Sequence, residues 1–168
     1  VHEAAHGYVA YRLGDPTARN MGRLTLNPLK HLDPIGALCM LLFRIGWAKP
    51  VPVNPNNFKN RKVGMAITAA AGPLSNIIVA FIAMLLLNVC KVLLLNSILI
   101  NVILLVADFF SYIAIINISL AVFNLLPIPP LDGSKVLMEF LPYRYRYRMY
   151  QIERYSGIIL MILVWTKM

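Results

Sequence analysis

The chain has 168 residues, of which 59% are hydrophobic and only 14% charged, with a mean hydropathy of +0.67. Soluble domains are closer to half apolar and about a quarter charged, so the composition argues against an ordinary soluble globule and fits a single membrane-embedded domain. The net charge of +9 would suggest nucleic acid or an acidic partner in a soluble protein, but in a membrane protein the placement of the charges matters more than their sum.

The first stretch, VHEAAHGYVAYRLGD, reads as the end of a helix over residues 1–13, stopped by Gly14, Asp15 and Pro16. A helix that positions His2 needs at least a turn before it, so an upstream segment with apolar sequence of its own is expected. Residues 17–62 read as irregular, with MGRLTL (21–26) alternating as a short strand would. The apolar centre of 31–47 is about a dozen residues, too short to cross a bilayer and suited to a re-entrant or interfacial piece. KPVPVNPNN (49–57) is extended, because each proline also restricts its predecessor. Residues 63–87 are long and apolar enough to cross. Residues 88–108, interrupted by Asn88, Lys91, Asn96, Asn101 and Asp108, read as an interfacial helix or hairpin on the far side. Residues 109–126 cross back, and PIPPLDG (127–133) ends that helix. A short helix over 134–141, the run PYRYRYRMYQIER (142–154) and the start of a further transmembrane helix (156–168) complete the chain.

The charges agree with this map. Segments 12–62 and 132–154 hold 14 of the 16 Lys/Arg residues, nine in the first and five in the second, whereas 88–108 holds only Lys91. Positive residues mark the cytoplasmic side, which places the end of the HEAAH helix and the PIPPLDG segment together there. The run YRYRYRMY (143–150) fits nucleic-acid stacking in principle. Beside an apolar span it is better read as an anchor, with Tyr at the interface and Arg facing anionic lipid, and no nucleic-acid partner is expected. Cys39 and Cys90 lie in apolar surroundings and read as small buried hydrophobes.

His2, Glu3 and His6 form H-E-x-x-H. Residues four apart share a helix face, so His2 and His6 can offer two imidazole nitrogens to one ion. Glu3 beside them can take the proton of a water and return it to a leaving amine. Catalytic zinc takes three protein ligands and keeps a position open. The extended pattern with a third histidine fails, because Val9 and Arg12 stand at its Gly and His places. By residue type the third ligand is His31, Asp132, Glu139 or Glu153. Asp132 is favoured, since it follows a helix break at the membrane edge, and its competing role is an N-cap for 134–141. An ionisable cluster beside apolar spans is expensive without a purpose. The residues alone leave two functions open: a hydrolase, or a membrane scaffold or metal-binding and transport protein that uses the cluster for binding only.

Four stretches then carry a resemblance: HEAAHGYVAYRLGD (2–15), GRLTLNPLKHLDPIG (22–36), GWAKPVPVNP (46–55) with AAGPLSN (70–76), and FNLLPIPPLDG (123–133). Together they resemble the site-2 protease family of intramembrane zinc metalloproteases, in the small bacterial type without a PDZ insertion. The resemblance implies an all-α polytopic membrane protein, one core over 1–168 with a short membrane-associated β or irregular segment and a truncated N-terminal helix. A further crossing before the HExxH helix is expected in that family. It implies one Zn2+ on His2, His6 and Asp132, Glu3 as catalytic base, and Asn76 as a catalytic amide for the oxyanion or the substrate backbone. His31 and Asp33 match its HLDP stretch. The implied substrate is a transmembrane protein or peptide, cut near the cytoplasmic face of a bacterial plasma membrane. Residues 21–26 or the proline-rich stretch would pair with an unwound substrate as an added strand.

Overall fold

The short apolar periods at either end and the two long ones between them all become helix. The computed structural model describes residues 1–43, 46, 48–94 and 100–165. Its helices are α1 (His2–Arg12), α2 (Thr17–Asn20), α3 (Pro34–Phe43), α4 (Arg61–Leu94), α5 (Ile100–Leu125), α6 (Asp132–Phe140) and α7 (Tyr143–Trp165), with 3-10 turns at Pro28–Lys30 and Pro55–Asn57.

Glycine ends α1: Gly14 sits at φ +108°, a left-handed conformation that favours glycine. The turn delivers Asp15 into a fully buried position. Its carboxylate accepts from the Thr17 N–H and hydroxyl, from the Asn54 N–H at 2.7 Å and from the Asn57 side-chain amide at 2.7 Å. One carboxylate thus fastens the end of α1 to α2 and to the 54–57 turn. Asn54 and Asn27 also accept from the first N–H groups of the two 3-10 turns. These asparagines hold local structure.

The alternation in 21–26 does not yield a strand; among the described residues there is none, only an isolated antiparallel bridge between Leu32 and Ala48. The irregular half of the expectation is what forms. Gly22, at φ +64°, breaks the extension. The buried Arg23 guanidinium then donates to the carbonyls of Lys30, Lys49 and Pro50, tying two loops together as a side-chain clamp. Helix α3 takes the apolar centre of 31–47 and exposes Ile35, Leu38, Met40, Leu41 and Leu42, a greasy outer face suited to a bilayer interface.

Helices α4 and α5 cover the apolar segments 63–87 and 109–126 and run past them. Residues 88–94 finish α4 and 100–108 begin α5, so the interfacial helix expected at 88–108 is absent there; residues 95–99 lie outside the described residues. Asn88, Lys91, Asn101 and Asp108 fall in helices already committed by the flanking apolar residues, and each costs too little propensity to stop a helix. At 1.5 Å per residue α4 is about 50 Å and α5 about 39 Å long, and both are apolar enough to span a membrane. Only 22% and 11% of their most apolar windows are buried, so neither is the core helix of a soluble globule. Phe81, Ile78, Leu105 and Ile115 point outward, an apolar surface suited to hydrocarbon.

The two helices pack through small residues. Ala107, Ala114 and Ala121 are buried at seven-residue spacing on α5, and Ala80, Ala83 and Cys90 are buried on α4. Without side-chain bulk the backbones approach closely, which is how helices associate in lipid. After α5 the chain turns through PIPP into α6. Gly133 lies directly on the last carbonyls of α5, where a Cβ would stand 2.6 Å from the Leu126 oxygen. Helix α7 merges the basic aromatic run with the apolar segment that follows it; residues 166–168 of the expected further transmembrane helix lie outside the described residues.

Burial opposes the charge on Asp15, but the donors from Thr17, Asn57 and Asn54 outweigh it and hold its carboxyl below the ordinary carboxylate value. A carboxyl depressed in the fold stabilises it above the unfolded value of about 4 and loses that contribution as pH falls through the folded value. The Asp15→Asn variant should therefore melt below wild type at pH 7. The gap should shrink as the pH is lowered beneath about 4, as read by thermal unfolding of the detergent-solubilised proteins across pH.

Candidate metal centre

Helix α1 lays its H-x-x-x-H face against α4, and small residues set the distance. Gly72 of α4 faces both imidazoles: a Cβ there would overlap His6 Nε2 and stand 2.6 Å from His2 Cε1 and Nε2. The rings meet edge to face, with centroids 4.7 Å apart and planes at 82°. Asp132, the first residue of α6, completes the group. Its Oδ2 lies 3.0 Å from His2 Nε2 and 3.2 Å from His6 Nε2, and the two imidazole Nε2 atoms are 3.1 Å apart. Leu131 holds the N-cap position of α6, and no side chain caps it. The cap reading of Asp132 therefore gives way to the cluster.

The other candidates are occupied elsewhere. His31 Nε2 donates to the Thr25 carbonyl at 2.8 Å, and Asp33 accepts from the Ile35 and Gly36 N–H groups at the start of α3. The buried Glu139 pairs with Arg146 at 3.3 Å. Glu153 is not in the cluster; among the described residues His2, His6 and Asp132 form the group able to hold a metal ion, their ligand atoms all within 4.8 Å of one another.

Hydrogen bonding fixes how these groups face one another. His6 Nδ1 lies 2.7 Å from the Thr68 carbonyl. A carbonyl only accepts, so a neutral His6 carries its proton on Nδ1 and presents a lone pair at Nε2. That lone pair confronts the Asp132 carboxylate at 3.2 Å, and two acceptors so close require a proton or a cation between them. Burial resists ionisation of Asp132. Hydrogen bonds from His2 and His6 and the positive charges of His6 and Lys135 overcome it and hold the carboxyl well below the usual carboxylate range. Lys135 Nζ sits 3.1 Å from Asp132 Oδ1, leaving Oδ2 for the imidazole side. Two imidazole nitrogens and an anionic oxygen with a fourth side open are the donor set of a catalytic zinc centre.

That open side is a cavity of about 440 Å³, lined in part by His2, Glu3, His6, Val51, Asn124 and Lys135. Glu3 lies on the same turn of α1 as His2, and its Oε2 accepts from the Val51 N–H at 3.3 Å. Pro50 and Pro52 flank Val51 and offer no N–H, so the stiff segment gives Glu3 one donor that orients it toward the cavity. Asn76 is 2% exposed and places its amide nitrogen 3.2 Å from His2 Nδ1, on the ring edge opposite the cluster. It is not among the residues that line the cavity, and its contact is with the His2 ring. Thr68 and Lys135 lie outside the quoted motifs, whereas Gly72 lies within AAGPLSN. The four-residue spacing Thr68–Gly72–Asn76 repeats that of His2–His6 and is the sequence trace of this wall.

A part-buried two-histidine, one-carboxylate centre with a glutamate beside an open cavity fits a metal-dependent hydrolase, here built against two apolar helices that suggest membrane association. The chain matches the description Peptidase family M50 over residues 1–165, and it belongs to that family. It is 42% identical over a 172-residue alignment to YwhC of Bacillus subtilis, which covers 99% of this chain and 75% of that protein. Against Rip2 of Mycolicibacterium smegmatis it is 28% identical over 174 aligned residues, 99% of this chain and 62% of that protein, less than two thirds of its length. Both names propose a zinc metalloprotease. No solved structure matches the chain.

The absent Cβ of Gly72 makes a sharp test. In Gly72→Ala the methyl group must displace both imidazoles, so zinc affinity should fall at least tenfold, while an overpacking cost of about 1–3 kcal/mol leaves the protein folded. Competition with a chromophoric chelator measures the first and thermal unfolding the second.

Proposed function

We propose that this chain is the core of an intramembrane zinc protease that cuts transmembrane substrates near the cytoplasmic face of the bilayer. The observation that carries the reading is the convergence of His2, His6 and Asp132, from α1 and the start of α6, beside helices whose apolar surfaces are left outward. Zinc bound there supplies a Lewis acid that polarises the scissile carbonyl and brings the pKa of water to about 7.

The residues divide the remaining work. His2 and His6 offer Nε2 and Asp132 offers Oδ2, with Thr68 and Lys135 holding the backs of His6 and Asp132. Glu3, one residue from His2 and steered by Val51, receives the proton of the attacking water and passes it to the leaving amide nitrogen. Low exposure around the site keeps bulk water from competing, and the polar mouth at Lys135 and Asn124 admits water from the cytoplasmic side. A helical substrate shields its own peptide bonds, so it must unwind to reach the cavity. The extended stretch 48–53 lines the cavity through Pro50, Val51 and Val53, and the unwound stretch would lie along it.

Orientation follows from charge. Lys59, Arg61 and Lys62 at the start of α4 and Arg144 and Arg148 on α7 are exposed and belong to the basic side, which faces the cytoplasm in a multi-pass arrangement.

Glu3→Gln should keep zinc at one equivalent per chain and lower cleavage of a reconstituted transmembrane substrate by roughly 10²–10⁴; cleavage at the wild-type rate would remove Glu3 as base. Sidedness is open to labelling. With Cys39 and Cys90 replaced by Ala, cysteines introduced as Lys59→Cys and Arg144→Cys should both react with a membrane-impermeant maleimide only in inside-out vesicles. Reaction of the pair from opposite sides would break the two-crossing arrangement.

A further inference from the structure

The two histidines of the cluster are backed by chemically different partners. His6 Nδ1 faces the Thr68 carbonyl at 2.7 Å, which can only accept. A neutral His6 therefore carries its lone pair at Nε2. His2 Nδ1 faces the Asn76 side-chain amide at 3.2 Å, and an amide can donate through Nδ2 or accept through Oδ1.

The bonds around His2 show which way the amide points here. His2 Nε2 lies 3.0 Å from an Asp132 carboxylate oxygen and 3.1 Å from the His6 Nε2 lone pair. Both are acceptors, so a neutral His2 carries its proton on Nε2 and its lone pair on Nδ1. Asn76 Nδ2 donates to that lone pair. Zinc on His2 needs the opposite tautomer, with the lone pair at Nε2 and the proton at Nδ1. A half-turn of the Asn76 amide then puts Oδ1 toward Nδ1–H. Asn76 is 2% exposed, and its amide is the group hydrogen-bonded to that nitrogen.

We propose that Asn76 is a positioning residue for His2, a reversible hydrogen-bond partner that satisfies Nδ1 in both tautomers and so sets the imidazole's readiness to bind metal. It acts through His2 and does not touch the substrate. The proposal rests on the reading of His2, His6 and Asp132 as zinc ligands. It differs from an oxyanion role in what it predicts: orientation of a ligand changes metal affinity, whereas an oxyanion donor changes turnover at full metal loading.

The experiment compares wild type with Asn76→Leu, Asn76→Asp and, as control, His6→Ala, in detergent. Zinc affinity is measured by chelator competition, and kcat and KM at saturating zinc. Asn76→Leu should bind zinc roughly 10- to 100-fold more weakly, the usual cost of losing a ligand's outer partner, with KM unchanged. Asn76→Asp accepts only, holds the metal-binding tautomer without a half-turn, and should bind zinc at least as tightly as wild type. It remains informative if the leucine variant fails to fold. Unchanged zinc affinity in Asn76→Leu, with kcat lower by roughly 10²–10³, would overturn the proposal in favour of an oxyanion role. Loss of zinc in Asn76→Asp equal to that in Asn76→Leu would overturn it as well. Wild-type zinc binding in His6→Ala would instead bring down the ligand reading itself.

Discussion

Everything at the centre depends on how closely α1 can lie on α4. Two imidazoles four residues apart project from α1 as a slab, and a neighbouring helix normally meets such a slab with side chains of its own. At Gly72 it meets it with bare backbone. That single absent Cβ brings the Thr68 carbonyl within 2.7 Å of one ring and the Asn76 amide within 3.2 Å of the other. Polar groups on a membrane helix otherwise turn back on their own backbone, and those of α5 do so: Ser111, Asn117 and Asn124 each bond the carbonyl four residues earlier. On α4, Asn76 is spared that fate because a buried acceptor is presented to it across the contact.

The same economy of small residues delivers the third member of the cluster. The buried alanines of α5, Ala107, Ala114 and Ala121, let that helix lie close to its neighbours. Gly133 then lets the start of α6 press on the last carbonyls of α5. Asp132, one residue earlier, is thus placed by two backbone-to-backbone approaches in succession. A carboxylate carried by a flexible loop would lose more rotational freedom on joining the histidines; one anchored at the first position of a helix has already lost it.

The sequence made the cluster legible because H-E-x-x-H has a fixed helical geometry and because a proline–proline break followed by LDG can hold a carboxylate at a helix start. It made the two long helices legible because apolar length is sufficient for that reading. The β alternation at 21–26 misled, since period two in six residues cannot reveal that Gly22 takes a left-handed turn or that Arg23 supplies hydrogen bonds in place of a strand partner. The polar residues of 88–108 misled in the opposite way: isolated Asn and Lys do not end a helix whose flanks are committed. Asn76 was recognisable as a special position, but its partner was not. A motif records which residue is needed and is silent on which atom of it is used. Only the distance to His2 Nδ1 separates an amide aimed at the substrate from one aimed at a ligand.

The opposite wall of the cavity is stiff for a different reason. Arg23 binds the carbonyls of Lys49 and Pro50 from outside, and Asp15 binds the N–H of Asn54, so the extended residues between them are held at both ends. Prolines at 50 and 52 remove the N–H groups that would let this stretch fold back into a turn or helix. What is left is one inward donor, Val51, and it goes to Glu3 at 3.3 Å. A general base needs a fixed position more than a strong partner: a charged donor such as Arg or Lys on Glu3 would pull its basicity down. A single long backbone hydrogen bond orients the carboxylate. Around the cavity, His2, His6, Asp132 and Lys135 bring charge and polarity to one part of the lining, while Pro50, Val51 and Val53 make another part apolar, a division that suits the different roles proposed for the His2–His6–Asp132 cluster and for Glu3.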